Sequence, residues 1–452
     1  MKHPFKTVSL SIVMLIFLSQ ASFTQDNASQ QPVMVQDSSL NNLVLPEGYQ
    51  TAKLGELGHV EIIGNGSKDV ILIAGLGFGW EVFQPFIDEN TSRYTMYAVS
   101  MAGMGGTQAP PMPPEGTSYV ENTWMNGTIE GVLNLLKKKQ LHKPAVMGSF
   151  VQGASIAFRL AIDYPEKFSS VIIAGGSARV INPQNPGIKN LPLSVRSSYI
   201  DTVLAPNWFK TVTENTWDTN NYYPENYSRN PEKAQALWEM VTHVPVPVMV
   251  RYLCEFYASD VSLDFNRLKI PALVLLPDFD EATLANSRNN FLTFNFGPEN
   301  WENAVNNSLI ELRIMPESHL IMMADQPEKL TEVVADFIEH GVDQSEERLG
   351  LKKPLMPEKP EPLEGISLTA EELQEYAGSY GNRLIMMDEN TLYIQRKSGP
   401  KVGLTCVAKD EFVVTIMPAV KVNFSRDGQG VISEIRIFQN GQWTASDRDQ
   451  VH

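Results

Sequence analysis

Short unbroken apolar runs recur at Val70–Ile73, Ala145–Met147, within Ser169–Gly175 and at Ile270–Leu276. A strand that is apolar on both faces is covered on both sides, so these runs predict buried parallel strands. His59–Ile63, Tyr94–Val99 and Leu309–Met315 add three further predicted strands. Between the strands the period becomes that of a helix. Ile156, Ala157, Leu160, Ala161 and Tyr164 fall on one face, and Pro165 ends the segment. Leu330, Val333, Val334, Phe337 and Ile338 mark a second amphipathic helix, and a third is expected around Met125–Lys138. Strand and helix in alternation predict an α/β fold built on a doubly wound, mostly parallel sheet.

The rhythm stops near residue 180 and resumes after 265. The interval is rich in Asn and Pro and carries Trp208, Trp217, Tyr222, Tyr223, Trp238 and Tyr257 among short helical patterns. Residues 46–342 therefore read as one domain with an insertion at about 180–265. Residues 343–365, with Glu346, Glu347, Arg348, Pro357, Pro360 and Pro362, read as a charged, proline-bearing linker. A second domain is expected over 366–452. There a short helix, Thr369–Tyr376, leads into alternating stretches at Leu384–Met387, Leu392–Gln395, Phe412–Ile416, Val420–Phe424 and Ile432–Phe438. With a hairpin turn at Asp427-Gly428-Gln429-Gly430, they predict a small antiparallel sheet or barrel.

At the start, Lys2 and Lys6 precede an apolar run from Val8 to Leu18, followed by Ser19-Gln20-Ala21. That is the layout of a secretory signal over residues 1–21, and the run is short for a membrane span. An uncleaved anchor is the alternative. Residues 22–45, rich in Gln, Asn and Ser, read as a flexible leader. The expected protein is exported, periplasmic or extracellular, with no stable membrane insertion once the signal is removed.

A chain of 452 residues exceeds what one core fills, in line with two domains. With 36 basic residues against 52 acidic ones and no long basic run, nucleic acid is a poor partner. A small-molecule substrate or ligand remains. Cys254 and Cys406 are the only cysteines and fall in different predicted domains, so no disulfide is expected between them. Two distant cysteines and scattered histidines have no ligand spacing, so the expectation is no metal and no cofactor.

Chemistry concentrates in residues 144–168. The strand Ala145–Met147 enters a small-residue turn, Gly148 to Gly153, and then the helix. Strand, tight turn and helix is how a nucleophile elbow is built, with the pattern G-x-S-x-G and the reactive residue at the tip. The sequence here is Ser149-Phe150-Val151-Gln152-Gly153, so Gly153 fits the second glycine, Ser149 stands in for the first, and Val151 takes the nucleophile position. An isopropyl group cannot attack a carbonyl. Positive φ is costly for a β-branched residue, so the turn is expected to relax. The nearest hydroxyls, Ser149 at the strand end and Ser155 in the first helical turn, read as structural.

This segment resembles the nucleophile region of the α/β-hydrolase family, and the resemblance extends over roughly residues 49–342. It is carried also by the loop Gly75-Leu76-Gly77-Phe78-Gly79 and by Ser100-Met101-Ala102-Gly103-Met104-Gly105-Gly106-Thr107. The latter is similar to the family's Asp-x-x-Gly-x-Gly-x-Ser loop, with Ser100 in place of the Asp. Later matches are Pro277-Asp278-Phe279-Asp280-Glu281 after a strand and Pro316-Glu317-Ser318-His319 ahead of Asp325-Gln326-Pro327-Glu328. The resemblance implies that the N–H groups of Leu76 and Gln152 are oxyanion donors, with Phe150 beside them. It implies Asp280 as the acid, with Asp278 the rival, His319 as the base, and the insertion as a helical cap. The cap aromatics would line a pocket or form plain core, the commoner use of such residues. The C-terminal stretches resemble the lipocalin-like domain appended to many exported bacterial serine hydrolases.

In the family the serine attacks, the His takes its proton and the acid orients the His. Two of those roles have candidates here. The leading expectation is a hydrolase of an ester, amide or similar small substrate that uses His319 and Asp280 without the usual serine. A cofactor-independent enzyme with the pair as general base is the second reading. A non-catalytic protein that binds a ligand in the capped pocket is the third.

Overall fold

The computed structural model describes residues 49–182, 189–212, 223–357, 364–396, 401–439 and 441–449. The expected signal and leader, and Trp217 and Tyr222, lie outside the described residues. The chain divides into two units, one of residues up to 184 together with 200–357, the other of 185–199 together with 358–452.

The first unit is built on seven strands: β1 (His59–Ile63), β2 (Lys68–Ile73), β3 (Tyr94–Ser100), β4 (Ala145–Ser149), β5 (Val171–Ala174), β6 (Ala272–Pro277) and β7 (Ile310–Met315). Their order is β1-β3-β2-β4-β5-β6-β7, with β1 antiparallel to β3 and every other pair parallel. The apolar runs lie where expected, and every residue of β4, β5 and β6 is buried. The helices used below are α1 (Gln84–Asn90), α2 (Thr123–Lys139), α3 (Gln152–Asp163), α4 (Pro231–Thr242), α5 (Val246–Tyr257), α6 (Glu281–Ala285) and α7 (Pro327–His340). From β2 the chain steps outward to β3 and then returns past β2 to β4. With right-handed crossovers, that reversal puts α1 on one face and α2 and α3 on the other. Accordingly α1 packs against α7, and α2 against α3. Outside the carboxyl ends of strands at such a reversal, here β2 and β4, is where sheets of this kind bind ligands.

In the insertion, Trp208 and Trp238 are buried; Trp208 packs edge-on to Tyr257 and Trp238 stacks on Tyr227. These aromatics serve as core. The buried Glu255 of α5 accepts hydrogen bonds from the N–H groups of Trp124 and Met125 at the start of α2, and from Arg251. A carboxylate at a helix N-terminus is favourable, and it locks α5 to α2. No helix among the described residues is long and apolar enough to cross a membrane.

The linker expected over 343–365 is corrected in its first part. Residues 343–357 belong to the first unit, where β8 (Glu347–Arg348) and β9 (Leu351–Lys352) pair as a small hairpin. The reason is a set of compensating buried charges that, in sequence, looks like a solvated stretch. Glu311 on β7 pairs with Arg313 and Arg348, each at 2.8 Å, and accepts the Asp343 N–H at 2.7 Å. Arg313 also donates to the carbonyls of Asp343 and Ser345, both at 2.9 Å, and Arg348 pairs with Asp336 of α7.

Among its described residues the second unit contains α8 (Ala370–Tyr376), with Thr369 and Glu372 forming a capping box, and eight strands. These are β10 (Gly378–Tyr380), β11 (Arg383–Asp388), β12 (Thr391–Arg396), β13 (Val402–Ala408), β14 (Glu411–Val414), β15 (Met417–Arg426), β16 (Ile432–Gln439) and β17 (Gln442–Asp447). Each pairs antiparallel with the next. The Asp449 N–H donates to the Ser379 carbonyl at 2.8 Å and draws the end of the chain onto β10, so the sheet nearly closes into a barrel. Its interior is filled: Tyr376, Phe412 and Phe424 pack on one another with centroids 4.9–5.5 Å apart, among buried Ile385, Leu392, Val422 and Ile435. Cys254 and Cys406 are both free and buried.

Candidate active site

The elbow is built, and built in its strained form. Val151 has φ 46° and ψ −109°, and Phe150 before it has φ 49°. The expectation of a relaxed turn is thus overturned. The surroundings leave the bend no room. A Cβ on Gly75 would lie 1.9 Å from the Phe150 carbonyl oxygen, and one on Gly148 would lie 2.2 Å from that of Gly153. One on Gly153 would lie 2.6 Å from the Ile73 oxygen. Strand, glycine loop and helix interlock through bare backbone, and the tip is held at a cost of order 1–3 kcal/mol.

Around the tip, Val151, Phe150, Leu76 and Gln152 are all buried. Leu76 sits in the loop after β2, where the Phe78 N–H donates to the Gly75 carbonyl and the Gly77 N–H to the Met104 sulfur. Gln152 opens α3, and its side-chain Nε2 donates to the Tyr252 carbonyl of α5 at 2.7 Å. Ser100, in the place of the family's Asp, accepts the Trp80 N–H at 2.8 Å. Ser149 and Ser155 are buried, and the Oγ of each has no hydrogen-bond partner. Phe150 stacks on Phe296 and meets Phe78 and Tyr227 edge-on.

His319 follows β7 and is buried. Its Nδ1 lies 2.6 Å from the Glu225 carbonyl oxygen. A carbonyl only accepts, so Nδ1 carries the hydrogen. Its Nε2 lies 3.4 Å from Asp280 Oδ2 and has no hydrogen-bond partner. Asp280 caps α6 by accepting the Thr283 N–H at 2.7 Å. That bond, aided by the charges of His319 and Arg229, holds its carboxyl below the usual carboxylate range. Asp278 instead accepts the Glu317 N–H and pairs with Arg229 at 3.6 Å, so of the two it is the Asp280 carboxylate that lies beside the imidazole. Besides the valine at the tip, the way the imidazole is held differs from a serine triad. There the acid takes Nδ1 and Nε2 faces the nucleophile; here a backbone carbonyl takes Nδ1 and the acid lies on the Nε2 side.

Sequence reasoning missed the strap that produces this. Asp325 accepts the Ser228 hydroxyl at 2.5 Å, the Arg229 N–H at 3.2 Å and the His319 N–H at 2.9 Å. The N–H groups of Leu320 and Ile321 donate to the carbonyls of Asn226 and Tyr227. Residues 225–229 are thereby laid along 319–321. A backbone carbonyl has no signature in sequence, but Asn230-Pro231, the cap and first residue of α4, marks where the strap ends.

The sequence matches the family model described as alpha/beta hydrolase fold over residues 69–323. Among solved structures it is similar to an enol-lactonase from Burkholderia xenovorans LB400, at 16% identity over 62% of this chain and 96% of that one, TM-score 0.45. An esterase from Exiguobacterium antarcticum matches at 17% identity over 62% and 95%, TM-score 0.47. A hydrolase from Oleispira antarctica matches at 15% over 65% and 99%, TM-score 0.46. A search of curated proteins finds no relative. The family match spans more than half of the chain and includes the elbow, Asp280 and His319, and on that ground the protein belongs to the α/β-hydrolase fold family.

Proposed function

We propose that this member of a hydrolase family does not run the acyl-enzyme reaction and binds a small, largely apolar molecule at the strand ends beside the elbow. We further propose that it does so outside the cytoplasm. The carrying observation is Val151 at the tip of a strained elbow, with no neighbouring hydroxyl bonded to His319. The Nδ1–Glu225 bond supports the same reading, because a main-chain carbonyl occupies the ring nitrogen that the acid of a serine triad would take. The apolar surroundings come from Phe78, Phe150, Tyr227 and Phe296.

A second reading has one observation in its favour. Nε2 of His319 has no hydrogen-bond partner beside the Asp280 carboxylate, so the pair can activate a water without any serine. Purified protein assayed against short-chain p-nitrophenyl esters, lactones and aminoacyl amides separates the two. The binding reading expects no turnover above buffer, and none in Val151→Ser alone. Turnover that resists serine-directed phosphonates and is lost in His319→Ala overturns it in favour of the second.

A further inference from the structure

In the second unit one cation lacks the partner that buried cations ordinarily have. Arg383, at the start of β11, is 8% exposed. Its Nη1 donates to the Ser446 hydroxyl at 3.0 Å and its Nη2 to the Thr444 hydroxyl at 3.1 Å, both on β17. Its buried Nε has no hydrogen-bond partner, and no carboxylate pairs with it among the described residues. The charge that does act on it has the same sign. Arg396 stands directly opposite in the β11–β12 register, and burial first, then Arg396, pushes the Arg383 guanidinium below its ordinary pKa. Arg426 in the same unit shows the usual solution, paired with Asp410 and Glu375 at 2.8 Å each.

The four side chains share a face. Arg383 alternates with Ile385, and Arg396 with Ile394 and Leu392, all three of them buried core residues. Ser446 and Thr444 pair with Ile435 and Ile437, which also belong to the core. All four therefore lie on the inward face of the sheet, at an end where Arg396 and Thr444 reach solvent. Behind them the interior is occupied by the aromatic and aliphatic core.

We propose that Arg383, Arg396, Thr444 and Ser446 form a binding site for a small oxyanion, the carboxylate or phosphate group of a ligand, at the mouth of the C-terminal barrel. Two guanidinium forks supply planar, charge-assisted donors, and the hydroxyls fix orientation. An anion there would neutralise two facing cations that otherwise repel each other.

The test is calorimetric titration of the full-length protein with inorganic phosphate and, separately, with acetate, against chloride at matched ionic strength. Saturable binding of at least one is expected. Phosphate alone identifies a tetrahedral group as the ligand, and acetate alone a carboxylate. Arg396→Gln, at an exposed position, is expected to weaken binding about tenfold or more, as is the pair Thr444→Val with Ser446→Ala. Arg383→Met is expected to abolish it. Should that variant misfold by circular dichroism, Arg396→Gln carries the decision. No saturable binding of either anion, or binding unchanged in Arg396→Gln, overturns the proposal.

Discussion

Val151 holds a conformation that its own side chain resists, and the resistance can be measured. Replacing a buried valine by glycine in an ordinary strand removes about 1.5–3 kcal/mol of burial and adds about 0.5–1 kcal/mol of glycine entropy. At Val151 the same change also releases the positive-φ strain, on the order of 1–3 kcal/mol. Val151→Gly is therefore expected to lie within about 1 kcal/mol of wild type in chemical denaturation. Val146→Gly, at a fully buried site on β4, should cost at least about 3 kcal/mol once the cavity is counted. Equal losses at the two positions would mean that the bend carries no strain. Position 151 thus combines a β-branched side chain with a positive-φ backbone that the close packing of Gly75, Gly148 and Gly153 holds in place.

At the scale of elements, the buried charges of β7 do what apolar contacts do elsewhere. Arg313 links Glu311 to the carbonyls of 343 and 345, and Arg313→Leu leaves part of a buried carboxylate uncompensated. Breaking such a pair costs about 3–5 kcal/mol. The variant should be cut by protease within 343–353 faster than wild type, as peptide mapping would show, and an unchanged digestion pattern would count against the role given to Arg313. The same region shows where sequence reasoning stops. The central strands were legible because continuous apolar runs have few other uses, and α3 and α7 because their apolar faces keep one period over several turns. The charges at 346–348 read as solvent-facing because a sequence does not show which charges will meet. Three barrel strands went unseen for related reasons. β10 has only three residues, β13 carries a register shift, and β17 (Gln-Trp-Thr-Ala-Ser-Asp) is almost wholly exposed and polar. The nearness of Asp280 to His319 follows from their places after successive strands, whereas the Glu225 contact has no sequence signal, since every residue has a carbonyl.

Across the whole molecule, the two units are finished off in different ways. The first packs a separate hairpin, held by ion pairs, against β7; the second closes its seam with residues 448 and 449. Arg448 donates to the carbonyls of Ala377 and Glu375, and Asp449 binds Ser379 through both N–H and carboxylate. Removing residues 448–452 would bare the Ser379 carbonyl of β10 and those of Glu375 and Ala377 just before it, leaving β10 an unpaired sheet edge, a template for pairing with another chain. The truncated protein should show more self-association in light scattering than the full chain, and a monodisperse truncation of native size would contradict the seam. The formal charge of −16 works against association in the intact protein, so the comparison belongs at low salt.

The grip on the imbedded imidazole has a consequence for how sibling proteins are compared. Any of the twenty amino acids at position 225 offers the same main-chain oxygen, so substitutions there should pass unnoticed by the ring. Adding or deleting one residue between 225 and 230 would slide a different oxygen into its place. The trait to track through evolution is thus a spacing, not a letter.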